Sequence, residues 1–344
     1  MTQLLTYPDI DPQQWQALID RSPYATWFQT KEAYEFYAAN KEEMTPFAVG
    51  VVEDGHLTGV MVGYTTQERN PIKQLLTCRS IIIGGPLLDE HISNDALSAL
   101  LLAAKRVTQN SIYLETRNFQ NYSHWRYLFE ACGFLYQPHL NIQVACTATH
   151  TMSEQRIRQV KKALKNGAEI VEASSEQEIR DWYEILYKLY REKVRTPLFS
   201  EEFFMQFYRE GVGKYLLVKH QGKVIGGMMC PILDGKAIYE WYVCGLDEEY
   251  REQYPSVMAT YAAIEYAKRN NLPLFDFMGA GKPDVPYGVR DFKMEFGGEL
   301  VEHGRFLCIR RPLLYWIGKL GVKWIKRFAY NCKIKEFESR KTAK

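Results

Sequence analysis

No apolar run in the 344 residues reaches the roughly 18 residues that a membrane-crossing helix requires. The opening residues 1–14 lack a basic stretch followed by an apolar one, so no signal peptide is expected. Cysteine is sparse, odd in number (seven) and never spaced C-x-x-C. Most cysteines stand in apolar runs, such as Cys230 and Cys308, a usage that fits reduced thiols and a cytoplasmic location. The seven histidines form no i, i+4 pair and no Cys/His ligand spacing, so no metal site is expected. No G-x-G-x-x-G follows a strand and no G-x-S-x-G elbow is present, which argues against a dinucleotide site and an α/β-hydrolase nucleophile. Net charge is also nearly absent, +2 from 43 Lys and Arg against 41 Asp and Glu. The residues from Arg311 onward hold ten Lys and Arg against two Asp and Glu, a local +8, so residues 1–310 carry −6. A mildly acidic body with a basic tail suggests that the tail meets an anionic surface.

What is present is ordinary for a globular chain of about two domains: 46% hydrophobic and 24% charged residues. In the first half the pattern predicts a helix near Lys31–Ala39 and strands Phe47–Glu53 and Leu57–Thr65, joined at Asp54-Gly55, a hairpin signal. A strand Arg79–Ile83 runs into Gly84-Gly85-Pro86, followed by a helix Asn94–Thr108, a strand Ser111–Thr116 and a helix Ser123–Ala131 stopped by Gly133. Phe134–Cys146 reads as one strand or a pair. The second half predicts a basic helix Ser153–Asn166 ended by Gly167, a strand Ala168–Ala173, and helices Glu176–Lys193 and Ser200–Glu210. A hairpin of Lys214–His220 and Lys223–Pro231 turns at Gln221-Gly222. A strand Lys236–Val243, a helix Ser256–Asn270 and a strand Leu274–Met278 follow.

The halves echo each other. Gly55–Met61 matches Gly222–Met228, and Ala104-Lys105-Arg106 before a strand matches Ala267-Lys268-Arg269 before another, in the same order and at nearly the same offset. A duplicated unit follows. Hairpins that precede a returning helix imply an α/β fold of the α+β kind, a mixed and mostly antiparallel sheet flanked by helices in each copy. The expected division is residues 1–148, residues 149–310 and a tail at 311–344, with the linker at Thr147–Ser153.

Five stretches resemble the Fem-type family of peptidoglycan bridge-forming aminoacyltransferases and their acyltransferase relatives: Ser22–Gln29, Ile112–Arg117, the basic helix from Arg156 to Gly167, Phe275–Gly281, and Tyr287–Gly298 with its D-F-K-x-x-F-G core. The likeness covers about residues 20–310, and the last two stretches are its most specific part. It implies two tandem GNAT-like domains and an enzyme that moves an aminoacyl or acyl group onto an amine of a peptidoglycan precursor. The donor it implies is an aminoacyl-tRNA or, among relatives, an acyl-CoA. The helical coiled-coil arm of some members has no counterpart in this sequence.

Amine acylation needs a proton acceptor, a stabilised oxyanion and a grip on phosphates. Lys293 is the first catalytic candidate, because Phe292 and Phe296 would anchor in the core and leave its charge facing a cleft. The family's matching lysine has that kind of role. Glu115, ending a strand, would take the amine proton or hold the acceptor ammonium, or else simply pair with Arg117. Asp276 would face the cleft or hydrogen-bond the Gly279–Gly281 loop. By the resemblance Arg195 falls where the family grips acceptor phosphate, a task suited to a planar guanidinium. Arg290 and the glycines Gly279 and Gly281 complete the expected substrate-binding set. The basic helix Arg156–Lys165 is either a phosphate-tracking element or a solvated face.

The tail alternates Leu313, Leu314, Trp316, Ile317, Leu320, Trp324, Ile325 and Phe328 with Lys319, Lys323, Lys326 and Arg327. Such an amphipathic basic helix with two tryptophans suits a membrane interface through residues 311–330, at the inner face of the membrane, or packs on the body. The glycine array of a coenzyme A pyrophosphate loop is missing between Gly245 and Val257, so an acyl-CoA-dependent transferase acting on a small amine or amino sugar is the alternative. A non-catalytic binding protein that kept the fold is the third reading.

Overall fold

A computed structural model of the chain describes residues 2–68, 70–147 and 149–320. The first half runs β1 (Thr2–Thr6), α1 (Pro12–Arg21), α2 (Lys31–Ala39), β2 (Met44–Glu53), β3 (His56–Thr66), α3 (Pro71–Thr77), β4 (Ser80–Gly84), β5 (Leu87–Leu88), α4 (Asn94–Val107), β6 (Tyr113–Asn118), α5 (Arg126–Ala131), β7 (Leu135–Gln137) and β8 (Leu140–Ala145). The second runs α6 (Glu154–Lys165), β9 (Ala168–Glu172), α7 (Glu176–Leu189), α8 (Glu201–Glu210), β10 (Gly213–His220), β11 (Lys223–Leu233), β12 (Ala237–Tyr239), β13 (Tyr242–Gly245), α9 (Pro255–Arg269), β14 (Leu274–Asp276), α10 (Gly288–Met294), β15 (Glu299–Glu302) and β16 (Arg305–Ile309). A last helix occupies 312–320 among the described residues.

Local chemistry explains the boundaries. Asp54 (φ 49°) and Gly55 (φ 86°) form the tight turn between β2 and β3, and Gln221 (φ 51°) and Gly222 (φ 76°) form its counterpart between β10 and β11. Two successive positive φ values match the twist of a two-residue hairpin, which a glycine at the second position makes accessible. Ser93, Ser153 and Ser175 cap α4, α6 and α7 through their side-chain oxygens. Asp11 caps α1, an element that hydrophobic periodicity did not single out in the opening residues.

The strands form two eight-stranded sheets with the same order. In the first the path is β1-β2-β3-β4-β6-β16-β7, with β5 also on β3. In the second it is β9-β10-β11-β12-β14-β8-β15, with β13 also on β11. All pairings are antiparallel except the central ones, β4 with β6 and β12 with β14. The duplication read from the sequence is therefore a duplication of topology. It also has a crossing that the sequence did not show. β8 belongs to the first half of the chain but pairs with β14 and β15 in the second sheet, and β16 follows the second half but pairs with β6 and β7 in the first. The expected strand or pair over Phe134–Cys146 is thus a pair split between sheets. Each sheet is completed by a strand from the other half.

Both sheets also share a core. Trp27, Phe28 and Phe36 from the first half pack with Trp182, Phe203, Phe207 and Tyr239 from the second in one apolar cluster. Phe36 and Phe203 lie 5.1 Å apart and Phe28 and Tyr239 5.5 Å apart, at edge-to-face angles. Separate clusters lie under α4 and α5 on the far face of the first sheet, and under α6 and α9 on that of the second.

Candidate functional site

The fourth strand of the second sheet carries a bulge. Between β12 and β13 the register on β11 advances by one residue, so Glu240 and Trp241 form a bulge. The Glu240 amide donates to the Asp276 carbonyl (2.9 Å) and the Trp241 amide to the Met229 carbonyl (3.1 Å). Beyond this point β14 has no pairing with β13 among the described residues, and the sheet splays. The expected single strand Lys236–Val243 is broken for this reason.

Three ionisable side chains meet at the base of the splay. Lys293 comes from α10, Asp276 from the end of β14 and Glu240 from the bulge, and all three are buried. The Lys293 ammonium donates to the carbonyls of Phe277 and Gly279 and to Glu240 Oε1, each at 2.9 Å. These three acceptors use all three of its N–H groups. The expected anchors behave differently: Phe296 is fully buried, whereas Phe292 is partly covered by the Arg156 guanidinium, 4.3 Å from its ring. Lys293 is therefore a buried clasp on the 277–279 loop, not a charge standing free in a cleft. Burial pushes the Glu240 carboxyl up, Lys293 pulls it down, and Asp276 raises it again, the net direction being upward. Burial also raises Asp276, against hydrogen bonds donated by Asn141 Nδ2 (2.8 and 3.0 Å), Gln143 Nε2 (2.9 Å) and the Met278 amide (2.6 Å).

The loop after β14 is held from two sides. The Leu140 amide donates to the Gly281 carbonyl and the Ala280 amide to the Leu140 carbonyl. Arg290 donates Nε to the Ala280 carbonyl (2.9 Å), and one terminal nitrogen to the carbonyls of Lys282 and Val285. Nε and one terminal nitrogen of its fork are thus engaged by the protein's own backbone. Gly279 (φ 146°) and Gly281 (φ 81°) hold backbone conformations that side-chain-bearing residues rarely adopt.

Glu115 sits at the matching place in the first sheet. Counting from Gly59 on β3 and Gly226 on β11, its register position is that of Asp276. It accepts from Arg117 Nε (2.8 Å) and from one terminal nitrogen of Arg305 (3.4 Å). Burial would raise its carboxyl, but the two guanidiniums outweigh this and hold it at about 2. Arg305 also donates to His139 Nε2 (2.9 Å), whose pKa burial and the Arg305 charge press down to about 4. Arg117, His139, Gly279 and Arg305 border one small cavity of about 10 Å³ at the seam of the two halves.

The structure thus brings Lys293, Asp276, Gly279, Gly281 and Arg290 together, with Glu115 across the seam. Arg195 stands apart: it is exposed in a left-handed conformation (φ 55°), with Nε donating to the Glu192 carbonyl (3.3 Å). In the basic helix Arg156 is buried, its Nε 3.2 Å from Glu295, while Arg158 and Lys162 pair with Glu154 and Glu252. The sequence reading missed Glu240, although a charge inside Ala237–Val243, otherwise apolar and aromatic, was a signal. Arg305 and His139 gave none, since each is placed by the strand exchange. In the tail, Tyr315 and Leu314 pack on Ile112 and Leu307, while Leu313, Trp316, Ile317 and Leu320 are exposed. Trp324, Ile325, Phe328, Lys323, Lys326 and Arg327 lie outside the described residues. Among the described residues no helix is long and apolar enough to cross a membrane, and no group of His, Cys, Asp or Glu is arranged to hold a metal.

Residues 153–294 match the family model described as an acetyltransferase (GNAT) domain. No curated protein matches the sequence. Among solved structures, the chain is similar to FemX at 16% identity and a TM-score of 0.69, over 92% of this chain and 100% of that one. It is similar to L-PGS from Bacillus licheniformis at 13% and 0.57, over 90% and 96%. It is also similar to a tandem GNAT protein from the clavulanic acid biosynthesis pathway at 11% and 0.55, over 89% and 98%. At such identities the likeness is one of fold. The chain is accordingly a tandem GNAT fold with an acetyltransferase (GNAT) domain match over residues 153–294.

Proposed function

We propose that the chain transfers an aminoacyl or acyl group onto an amine of a cell-wall (peptidoglycan) precursor. The observation that carries this reading is the splay beside the Glu240 bulge, with the Lys293–Glu240 pair buried at its base and the 277–281 loop clasped above it. The acceptor nitrogen attacks the donor carbonyl carbon, a C–N bond forms, the bond to the donor's oxygen or sulfur breaks, and the amine proton leaves. In this reading Lys293 acts as a fixed charge near the developing oxyanion and as the holder of the loop. Glu240, raised by burial, suits proton acceptance better than Glu115, which at about 2 stays charged and is a weak base. Glu115 then serves to position Arg117 and Arg305. Arg195 is left as an exposed guanidinium available to acceptor phosphate.

Aminoacyl-tRNA is the favoured donor. The helix end that would cradle a coenzyme A pyrophosphate is that of α9. There Pro255 has no N–H, and Asp247 already accepts from the Ser256 amide (3.1 Å) and the Ser256 hydroxyl. A carboxylate in that place both fills and repels. The acyl-CoA reading keeps one supporting observation, the acetyltransferase description of the matched domain. The exposed apolar side of the 312–320 helix, beside Arg310, Arg311 and Lys319, supports contact with an anionic membrane on which a lipid-linked acceptor is presented.

A transfer assay tests the reading. Charged tRNA and acyl-CoA are offered in separate reactions with peptidoglycan precursors, and the acceptor's mass is followed. A gain of one amino acid, lost in Lys293→Ala, is the expected result. A gain with acyl-CoA alone moves the chain to the N-acyltransferases, and no gain with either favours the non-catalytic binding protein.

A further inference from the structure

The two equivalent carboxylates, Glu115 and Asp276, are satisfied in different ways. Asp276 is closed by neutral donors, Asn141, Gln143 and the Met278 amide. At the positions of Asn141 and Met278 the first sheet carries Arg305 and Arg117. In the second copy no cation bonds the carboxylate itself, the nearby Lys293 being held by Glu240 and the loop carbonyls. The first copy holds two for a single carboxylate.

The surplus is accessible. Arg117 spends only Nε on the protein, and its two terminal nitrogens donate to no residue among those described. Its side chain is 34% exposed and that of Arg305 24%. Both border the seam cavity with Asn118, His139, Gly279 and Gly304. His139, accepting from Arg305, is neutral near pH 7 and adds no charge, so the corner is left with one net positive charge. The cavity of about 10 Å³ has room for about one water, and so for one oxygen of an anion held at the exposed edge of Arg117.

We propose that the seam between the exchanged strands is an oxyanion-binding site, in which the free edge of Arg117, steadied by Glu115 and backed by Arg305, takes a phosphate or carboxylate group of a substrate. A planar guanidinium edge with two parallel donors matches both groups. Arg117 Nε stands 2.8 Å from Glu115, and the same cavity is bordered by Gly279 of the clasped loop, so an anion held there lies next to that loop.

The proposal concerns binding and needs no turnover. Calorimetric titration of the full chain at low salt, with inorganic pyrophosphate and separately with an N-acetylated dipeptide bearing a free carboxylate, tests it. Wild type binds at least one probe, and Arg117→Gln weakens that binding about tenfold or more. Binding of pyrophosphate alone assigns the site to a phosphate, and binding of the dipeptide alone to a carboxylate. Should Arg117→Gln not fold, Arg117→Lys decides: it keeps the charge but loses the fork, and an affinity lower by about threefold or more is expected. Failure of wild type to bind either probe, or unchanged affinity in the variant that folds, overturns the proposal. A protein inactive in the transfer assay that still binds through Arg117 leaves this site standing while the transferase reading falls.

Discussion

Replacing Lys293 by Met keeps most of the side chain's volume and removes only its charge and donors. Glu240 then lies buried with no counter-charge, and the carbonyls of Phe277 and Gly279 lose the ammonium that joins them. Removing one member of a buried ion pair costs about 3–5 kcal/mol, a large share of an ordinary domain's stability. The cost must also depend on pH. With Lys293 gone, burial and the Asp276 charge both act to raise the Glu240 carboxyl. A carboxyl whose folded pKa exceeds its unfolded one gives full stability below the unfolded value and loses it as pH rises through the folded value. The Lys293→Met deficit should therefore be largest near about pH 8 and shrink by about 2 kcal/mol or more toward about pH 5, where Glu240 takes up a proton. Urea unfolding followed by tryptophan fluorescence at both pH values measures it. The double variant Lys293→Met/Glu240→Gln should regain about 2 kcal/mol at the higher pH, because no charge is left to bury. An equal deficit at both pH values, or a double variant no better than the single, would refute the view that Lys293 is the counter-charge of Glu240.

Three further outcomes follow from the same geometry. Glu115→Gln should cost about 2 kcal/mol near neutral pH, allowing for the partial exposure of Arg117; because the folded carboxyl is depressed to about 2, the deficit should fade as pH drops below the unfolded value. In transfer kinetics this variant should raise KM more than it lowers kcat, and the reverse split would restore Glu115 as the base. Asp247→Ala should lower the unfolding midpoint by the equivalent of about 1 kcal/mol, through loss of the α9 cap, without creating acyl-CoA turnover; gain of such turnover would show that only the carboxylate had kept coenzyme A out. Trp316→Ser/Ile317→Ser should reduce co-sedimentation with anionic vesicles at least about tenfold, since each apolar side chain withdrawn from water is worth about 1.5–3 kcal/mol. Wild type that stays in the supernatant would sink the membrane contact.

The parts of the fold legible in the sequence are those that short-range chemistry decides. Asp54-Gly55 and Gln221-Gly222 specify their turns, Ser153 and Gly167 bracket α6, and the periodicity of Leu97, Leu100, Leu101 and Ala104 places α4 on its sheet. The internal match of the halves was readable because hairpin and helix recur in order. The exchange of β8 and β16 was not, since β8 and β16 have the composition of ordinary strands and nothing in either names its partner. For the site, the D-F-K-x-x-F-G stretch pointed to Lys293 as a charge facing a cleft, whereas its ammonium is bonded to Glu240 and two loop carbonyls. Whether a lysine is free depends on Glu240, Phe277 and Gly279, of which Glu240 is 53 residues away in sequence and meets it only through the bulge. Arg290 likewise bonds the carbonyls of Ala280 and Val285, partners that its place in the sequence did not name.

The exchange also constrains where function can reside. The corner around Glu115 needs Arg305 from β16, and the corner around Asp276 needs Asn141 and Gln143 from β8, so neither half closes its own central strand. Gln143 further donates to the Phe119 carbonyl, just past β6, and ties the two corners directly (2.8 Å). A duplicated pair of domains that merely stood side by side would leave each copy free to drift alone. Here the two corners are joined through the strands they have traded. The first corner holds two guanidiniums against one carboxylate, and the second has buried its charges around a clasped loop. Under the proposed function, this asymmetry favours binding at the first corner and chemistry at the second.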